Sequence, residues 1–543
     1  MKRFATLAAA LCLTIAAAHS QAIDINSAPA QPLPHTWSVG TCAGRANEGL
    51  RASWAEQLRT VKEHCGFEYL RMHGLFDDDM CIYFERKDGS AVYNWQYVDD
   101  VYDRMLEIGI RPFVELSFFP KGIDRDGGKE QMWYRNRVSF DAAKMPKWGA
   151  LVKAFAEHCI ERYGIDEVRR WYFEVWNEPN LDFGFFDGTK SDYFLLYEVT
   201  AKALKSIDAQ LRVGGPATSN FIADRRHEGE RTDNSKSVFY PQEEVNKQQW
   251  KGIWIEEFID YCHRRQLPID FISCHAYPTD YALDPVTKHG RDAIRYVHSL
   301  RDDLRWARDI IRQSPYPNAE LHITEWSTSP NSRDLMHDLL PPAAYIVKAN
   351  LENAGGAGSI MYWTFTDIFE EKGGGEEIFH GGFGMINFQG IVKPSFHAYR
   401  MLNQLGDQQL YNTDPLVVTR DSRSGRITAL AYNYPAEFEM RVPSIRDAGN
   451  YMQASAKDID LKLTGLQPNQ TFIIETLDKD HGFAYDEWLR LGRPHSPTRQ
   501  QTQLLRDSAW DTDTDIIRAD ANGCLTLKRT LQPWSLMLVK MRQ

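Results

Sequence analysis

The chain has 543 residues, 43% of them apolar and 25% charged, with a formal charge of -11. These are ordinary proportions for a soluble globular protein, with room for one large domain and a smaller one. The acidic balance argues against nucleic acid or an anionic membrane as partner, because both need a basic face.

The first residues, "MKRFATLAAALCLTIAAAHSQA", have a basic start, an apolar stretch and a small-residue end. This reads as a secretory leader covering residues 1–20, so a secreted or periplasmic protein is expected. The apolar run is short for a membrane span, and no later segment is long enough to be one.

Eight short apolar runs then alternate with helical patterns. They are "TWSVG" (36–40), "EYLRMHG" (68–74), "RPFVELSF" (111–118), "RWYFEVWNE" (170–178), "LRVGGPAT" (211–218), "DFISCHAY" (270–277), "LHITEW" (321–326) and "SIMYWTF" (359–365). Between them lie amphipathic segments such as "KWGALVKAFAEHCIERYG" (147–164), with helical apolar spacing and a closing glycine. Eight strands each followed by a helix predict an α/β fold, a (β/α)8 TIM barrel over residues 36–405. The charged stretch 222–250 after the fifth strand reads as a long surface loop on the active-site face. From residue 406 the texture becomes β-rich, with a hairpin in "PLVVTRDSRSGRITALAYNYP" and further runs at "LKLTGL", "QTFIIETL", "CLTLKRTL" and "WSLMLVKM". An all-β sandwich over 406–543 is predicted, with residues 23–36 contributing to it. Of eight cysteines, Cys12 lies in the leader and none forms a CxxC pair, so buried thiols are expected rather than a zinc site.

In such a barrel the chemistry sits at the C-terminal strand ends. Arg71 and His73 end the second strand, and Glu115 lies in the third. Asn177 and Glu178 end the fourth, His275 and Tyr277 the sixth, Glu325 the seventh, Trp363 and Asp367 the eighth. Two glutamates at ends of apolar, aromatic strands face each other across the mouth. That is what glycosidic bond cleavage requires: one carboxyl as proton donor, one carboxylate as nucleophile or base. A separation near 5 Å retains configuration at the anomeric carbon, and a wider one inverts it. A single such Glu would read as an ordinary rim residue.

The motifs "WYFEVWNEPNLDFGFF", "RPFVELSFFP", "DFISCHAYP", "LHITEWSTSP", "YWTFTDIFEE" and "FHGGFGMINFQGIVKPSFHAYRML" together resemble glycoside hydrolase family 39, which holds bacterial β-D-xylosidases and α-L-iduronidase. The resemblance implies a retaining enzyme with Glu178 as acid/base and Glu325 as nucleophile. Asn177 is then expected on the sugar 2-hydroxyl, Tyr277 or His275 on Glu325, and Trp363 as the sugar platform. Arg71, His73, Glu370 and Glu371 are either hydroxyl binders or rim salt bridges, and Glu115 either a site residue or a buried structural carboxylate.

Iduronidases carry an arginine after the eighth strand, whereas "DIFEEKGGGEEIFHGGFG" offers only Lys372 and His380 as cations. The acidic loop points to a neutral glycone and hence to exo-acting β-xylosidase activity. The other readings are an α-L-iduronidase, α-L-arabinosidase or β-galactosidase, or a non-catalytic carbohydrate-binding protein, against which both glutamates speak. No HExxH pattern and no Gly-rich nucleotide turn occurs, so neither metal nor other cofactor is expected.

Overall fold

The computed structural model describes residues 22–542 apart from 126–129, 132, 182–183, 223–224, 237–239, 284–289 and 372. The proposed leader and Lys372 therefore lie outside the described residues.

Eight parallel strands close into a barrel in chain order. They are β1 (Gly40–Arg45), β2 (Tyr69–His73), β3 (Arg111–Leu116), β4 (Tyr172–Val175), β5 (Arg212–Thr218), β6 (Phe271–His275), β7 (Glu320–Trp326) and β8 (Ser359–Tyr362). Each leads to an outer helix: α1 (Ala52–Cys65), α2 (Gln96–Ile108), α3 (Met145–Tyr163), α4 (Lys190–Ile207), α5 (Ile255–Arg265), α6 (Ser299–Gln313), α7 (Pro341–Glu352) and α8 (Pro394–Leu402). The TIM barrel is thus present, and seven of its strands closely overlap the runs read from sequence. The first meets its run only at Gly40. Residues 36–39 form a turn in which Trp37 stacks on His35 at 4.7 Å, and the strand is the small-residue run "GTCAGR" that starts at Gly40. A side chain of β8 crowds this strand, and a Cβ at Gly40 would meet Met361 at 2.8 Å. Small residues are needed there, and they hide the usual β signature.

Inside the barrel, successive residues alternate inward and outward. The inward set begins with an aromatic floor. Phe113 stacks on Tyr172 at 4.8 Å, and Phe271 and His322 pack edge-on at 5.4 and 4.7 Å from Tyr172. Two residues further along the strands the inward side chains turn polar, to Arg71, Glu115 and Glu174, all buried. The floor thus seals one end and leaves a charged layer under the mouth.

The second unit is two sheets, antiparallel except where Ile23–Asp24 adds in parallel. One has seven strands, Gln31–Pro32, β9 (Gln408–Thr413), β10 (Leu416–Arg420), β11 (Ile427–Tyr432), β16 (Leu536–Met541), β13 (Thr471–Leu477) and β14 (Asp513–Arg518), in that spatial order. The other pairs Ile23–Asp24 with β12 (Lys457–Thr464), and β12 with β15 (Leu525–Leu531). The central strands β10, β11 and β16 of the large sheet are buried on both faces. Val417, Leu430 and Leu538 join the barrel core, while Val418, Ala429 and Val539 join the inter-sheet core. This explains why β10, β11 and β16 are apolar throughout rather than alternating. Two helices absent from the sequence reading, Ala484–Arg490 and Arg499–Trp510, leave this sheet and pack on the barrel. The second was visible in principle, because Thr498 and Gln501 form a capping box before an amphipathic run. The seven described cysteines are all free thiols, five of them buried.

Candidate active site

Glu178 lies beyond the strand it was expected to end. β4 finishes at Val175, and Trp176 and Glu178 both take left-handed backbone conformations, with φ 73° and 43°. Such residues cost of order 1–3 kcal/mol each and persist only when the surroundings fix them. Here the Trp176 indole donates to the Phe185 carbonyl at 2.9 Å, and the Glu178 amide donates to the Ala217 carbonyl at the end of β5 at 2.9 Å. The kink turns the carboxyl into the barrel mouth.

Arg71 is the cation beneath it, fully buried. Its Nε donates to Glu174, its Nη1 to Glu325 Oε1 at 2.8 Å, and its Nη2 to Asn177 Oδ1 at 2.9 Å and Glu115 Oε2 at 2.8 Å. Every arm is committed to protein, so Arg71 orients the site and is not a hydroxyl binder. Asn177 keeps its amide nitrogen buried and unpartnered. Glu174 was missed by sequence reasoning. Its signal was a charge inside the apolar run "WYFEVW", which is costly unless a buried cation meets it.

Tyr277 donates to Glu325 Oε2 at 3.1 Å. His275 was expected on Glu325 but is nearer the other carboxyl: its Nδ1 lies 2.9 Å from Glu178 Oε1 and 3.4 Å from Glu325 Oε2. Burial holds this imidazole neutral, well below its ordinary pKa. Its Nε2 is buried with no partner, so the single hydrogen belongs on Nδ1. Burial raises the Glu178 carboxyl well above the usual carboxylate range, and the Glu325 charge raises it further against the pull of Arg71. Burial raises Glu325 too, but Arg71, in direct contact, draws it back. The pair is therefore split, with Glu178 holding a proton more tightly than Glu325.

Trp363 lies over His73, ring centres 4.6 Å apart, with Phe369 and Phe383 edge-on to its indole. His73 Nδ1 meets Glu115 Oε2 at 2.6 Å. Glu115 also accepts from Ser117, a contact the sequence did not suggest. Of the two glutamates after β8, Glu371 is buried and adds to the charge felt by Glu178. Glu370 is drawn off into an ion pair with Arg45 at 3.0 Å and with Arg51, so it is a rim salt bridge. Asp367 is not at the site: Lys393 holds it and Asp338, each at 2.6 Å, and anchors the loop after β8. His380 bonds the Glu377 carbonyl, and a cation from the preceding loop, Arg333, donates to the Gly373 carbonyl at 2.9 Å. That arginine lies 40 positions earlier in the chain, so the loop's own sequence could not reveal it.

Among the described residues, one group has three ligand atoms suited to a metal, Glu178, His275 and Glu325, all within 4.8 Å of one another. The Arg71 guanidinium in contact with Glu325 opposes a cation there. The same spacing suits two carboxyls acting on one substrate atom.

The chain matches the family model described as glycosyl hydrolases family 39 over residues 22–230 and 248–522. The gap between the two matched segments, residues 231–247, falls within the charged stretch after β5. It is 33% identical over 527 residues to a β-xylosidase of Geobacillus stearothermophilus, covering 96% of this chain and 95% of that one. It is 34% identical over 468 residues to a β-xylosidase of Caldicellulosiruptor saccharolyticus, covering 86% of each. The crystal structure of a monomeric β-xylosidase from Caulobacter crescentus CB15 superposes with a TM-score of 0.80 at 30% identity, over 96% of this chain and 98% of that one.

Proposed function

The chain belongs to glycosyl hydrolase family 39, and on that premise we propose a secreted or periplasmic, retaining, exo-acting β-D-xylosidase. It is a glycoside hydrolase by family. The finer reading rests on one observation above others: an oxygen of Glu178 and an oxygen of Glu325 lie within 4.8 Å. That spacing is of the close-set class that acts by double displacement, and it leaves no room for a water between the carboxyls.

In the first step Glu325, ionised and held by Arg71 and Tyr277, attacks the anomeric carbon. The bond from that carbon to the leaving oxygen breaks, and the oxygen takes the proton of Glu178. The product is a glycosyl ester on Glu325. Glu178, now ionised, removes a proton from water, the water oxygen bonds to the anomeric carbon, and the ester bond breaks to return Glu325. The Asn177 amide nitrogen is available to donate to the sugar 2-hydroxyl, a contact that strengthens as charge develops. Trp363 offers a face to the ring, and Glu371 an acceptor for a hydroxyl. The near-complete burial of both glutamates favours a substrate entering by its end, which fits exo action.

The names of the two bacterial relatives support xylose as the glycone, and so does the acidic loop after β8. The test is the initial hydrolysis rate of an aryl β-D-xyloside beside an aryl α-L-iduronide, with Glu325→Gln as control. Release from the xyloside, lost in the variant and giving the β-anomer first by NMR, is the expected result. Turnover of the iduronide alone would overturn the glycone assignment, and α-xylose as first product would overturn retention.

A further inference from the structure

Glu115 lies one residue before the end of β3 and is almost fully buried. Its carboxylate nevertheless collects three donors. Ser117 Oγ bonds Oε1, while Arg71 Nη2 at 2.8 Å and His73 Nδ1 at 2.6 Å both bond Oε2. Ser117 Oγ in turn accepts the Gly74 amide at 3.1 Å, so its own hydrogen is committed to Glu115. The opposite ring nitrogen, His73 Nε2, stands 3.5 Å from Glu325 Oε1.

From this geometry we infer that Glu115 is a positioning residue that fixes the tautomer of His73, so that Nε2 meets the sugar as a hydrogen-bond acceptor. The reasoning needs only proton counting. A carboxylate oxygen already facing a guanidinium hydrogen accepts from Nδ1. A neutral imidazole has one hydrogen, and once it lies on Nδ1, Nε2 carries a lone pair. Burial keeps His73 neutral, its pKa lowered to about 3. Two acceptors, Nε2 and the nucleophile's Oε1, then flank one place beside the reaction centre. A glycone hydroxyl that donates there satisfies the imidazole and does not compete with the donors that steady Glu325. Were the hydrogen on Nε2, His73 would instead bond the nucleophile directly and shut that hydroxyl out. The same relay ties the recognition of a sugar hydroxyl to Arg71, the group that holds Glu325. The sugar part of this inference rests on the reading above, but the tautomer does not.

The test is direct. The enzyme is labelled with 15N-histidine, and imidazole 15N–1H correlations are recorded for wild type, Glu115→Leu and Glu115→Gln, with His73→Asn identifying the signals. The expected result is a hydrogen on Nδ1 in wild type, retained in Glu115→Gln, whose carbonyl still accepts, and moved to Nε2 in Glu115→Leu. A hydrogen on Nε2 in wild type overturns the inference, as does identical behaviour of the two variants. If Glu115→Leu fails to fold, the wild-type spectrum decides alone, because a hydrogen on Nδ1 supports the inference and one on Nε2 overturns it. This arm needs no substrate, so it stands or falls apart from the xyloside assignment. In the kinetic arm, kcat/KM on the aryl xyloside falls about tenfold or more in Glu115→Leu, mostly through KM, with partial rescue in Glu115→Gln. Equal losses in both variants would count against the acceptor role.

Discussion

Tyr277→Phe removes one hydroxyl and almost no volume from the wall beside Glu325. The hydroxyl donates to Glu325 Oε2 at 3.1 Å, and both side chains are buried, so no solvent replaces it. A hydrogen bond to a charged group contributes about 1.5–3 kcal/mol. At about 1.4 kcal/mol per unit, its loss lifts the Glu325 pKa by about one to two units. His275 Nδ1, 3.4 Å from the same oxygen, recovers part of this, so the lower end of the range is expected. Glu325 must be ionised to attack. Its pKa is set in the free enzyme, so the acid limb of kcat/KM against pH moves to higher pH. Below that limb the activity falls about tenfold or more, and well above it the variant approaches wild type. The assay is initial rates on an aryl β-D-xyloside across the pH range, with thermal melting to show an intact fold. An unmoved acid limb with a uniform loss at every pH would refute the argument and make Tyr277 a substrate contact only.

Glu178→Ala should lose about a hundred- to ten-thousandfold in kcat/KM on xylosides with poor leaving groups, less on a dinitrophenyl xyloside, and azide should restore turnover as a β-xylosyl azide visible by chromatography. Lys393→Met leaves Asp338 and Asp367 buried without their cation, and should cost about 3–5 kcal/mol of stability in denaturant titrations. His298 places one ring nitrogen against Glu352 at 2.7 Å and the other against Glu439 at 2.6 Å, with Arg301 on Glu352 and Lys348 near Glu439. The Glu352 hydrogen bond leads in raising its pKa in the folded state. Its stabilisation is therefore complete below the ordinary histidine value and fades as pH rises through the raised one. The Tm gap between wild type and His298→Asn should be widest near pH 6 and close toward pH 9.

Much of the site was legible because a barrel turns sequence into position. A strand end is a place at the mouth, so Glu178, Glu325, His275 and Tyr277 could be located from apolar runs alone. What was hidden has one physical cause: ion pairing across the barrel follows no sequence spacing. Arg71 stayed open between hydroxyl binder and rim salt bridge because its partners, Glu115, Glu174 and Glu325, come from three other strands. Glu370 stayed open in the same way, because nothing near it in sequence announces Arg45. The first strand was misplaced for a different reason. Close packing under Met361 demands a small residue at Gly40, and a strand whose one β-branched residue is Thr41 gives no apolar periodicity to read.

The charged layer under the mouth makes a last consequence quantitative in sign. Arg71 is a single cation shared by Glu115, Glu174 and Glu325, with Glu178 close above. Each carboxylate that Arg71 serves weakens its hold on the others. Glu174→Gln keeps an oxygen for the Arg71 Nε–H and removes one acidic group, whose second oxygen has no partner in the wild type. The guanidinium then favours ionised Glu325 more strongly, and the acid limb of kcat/KM should move to lower pH, opposite to Tyr277→Phe. The direction is what matters: two substitutions on either side of one carboxylate, one removing a donor and one removing a competitor, must shift the same limb in opposite senses. If both move it upward, Arg71 is not the shared cation that keeps the nucleophile ionised, and the split between the two catalytic carboxyls has another origin.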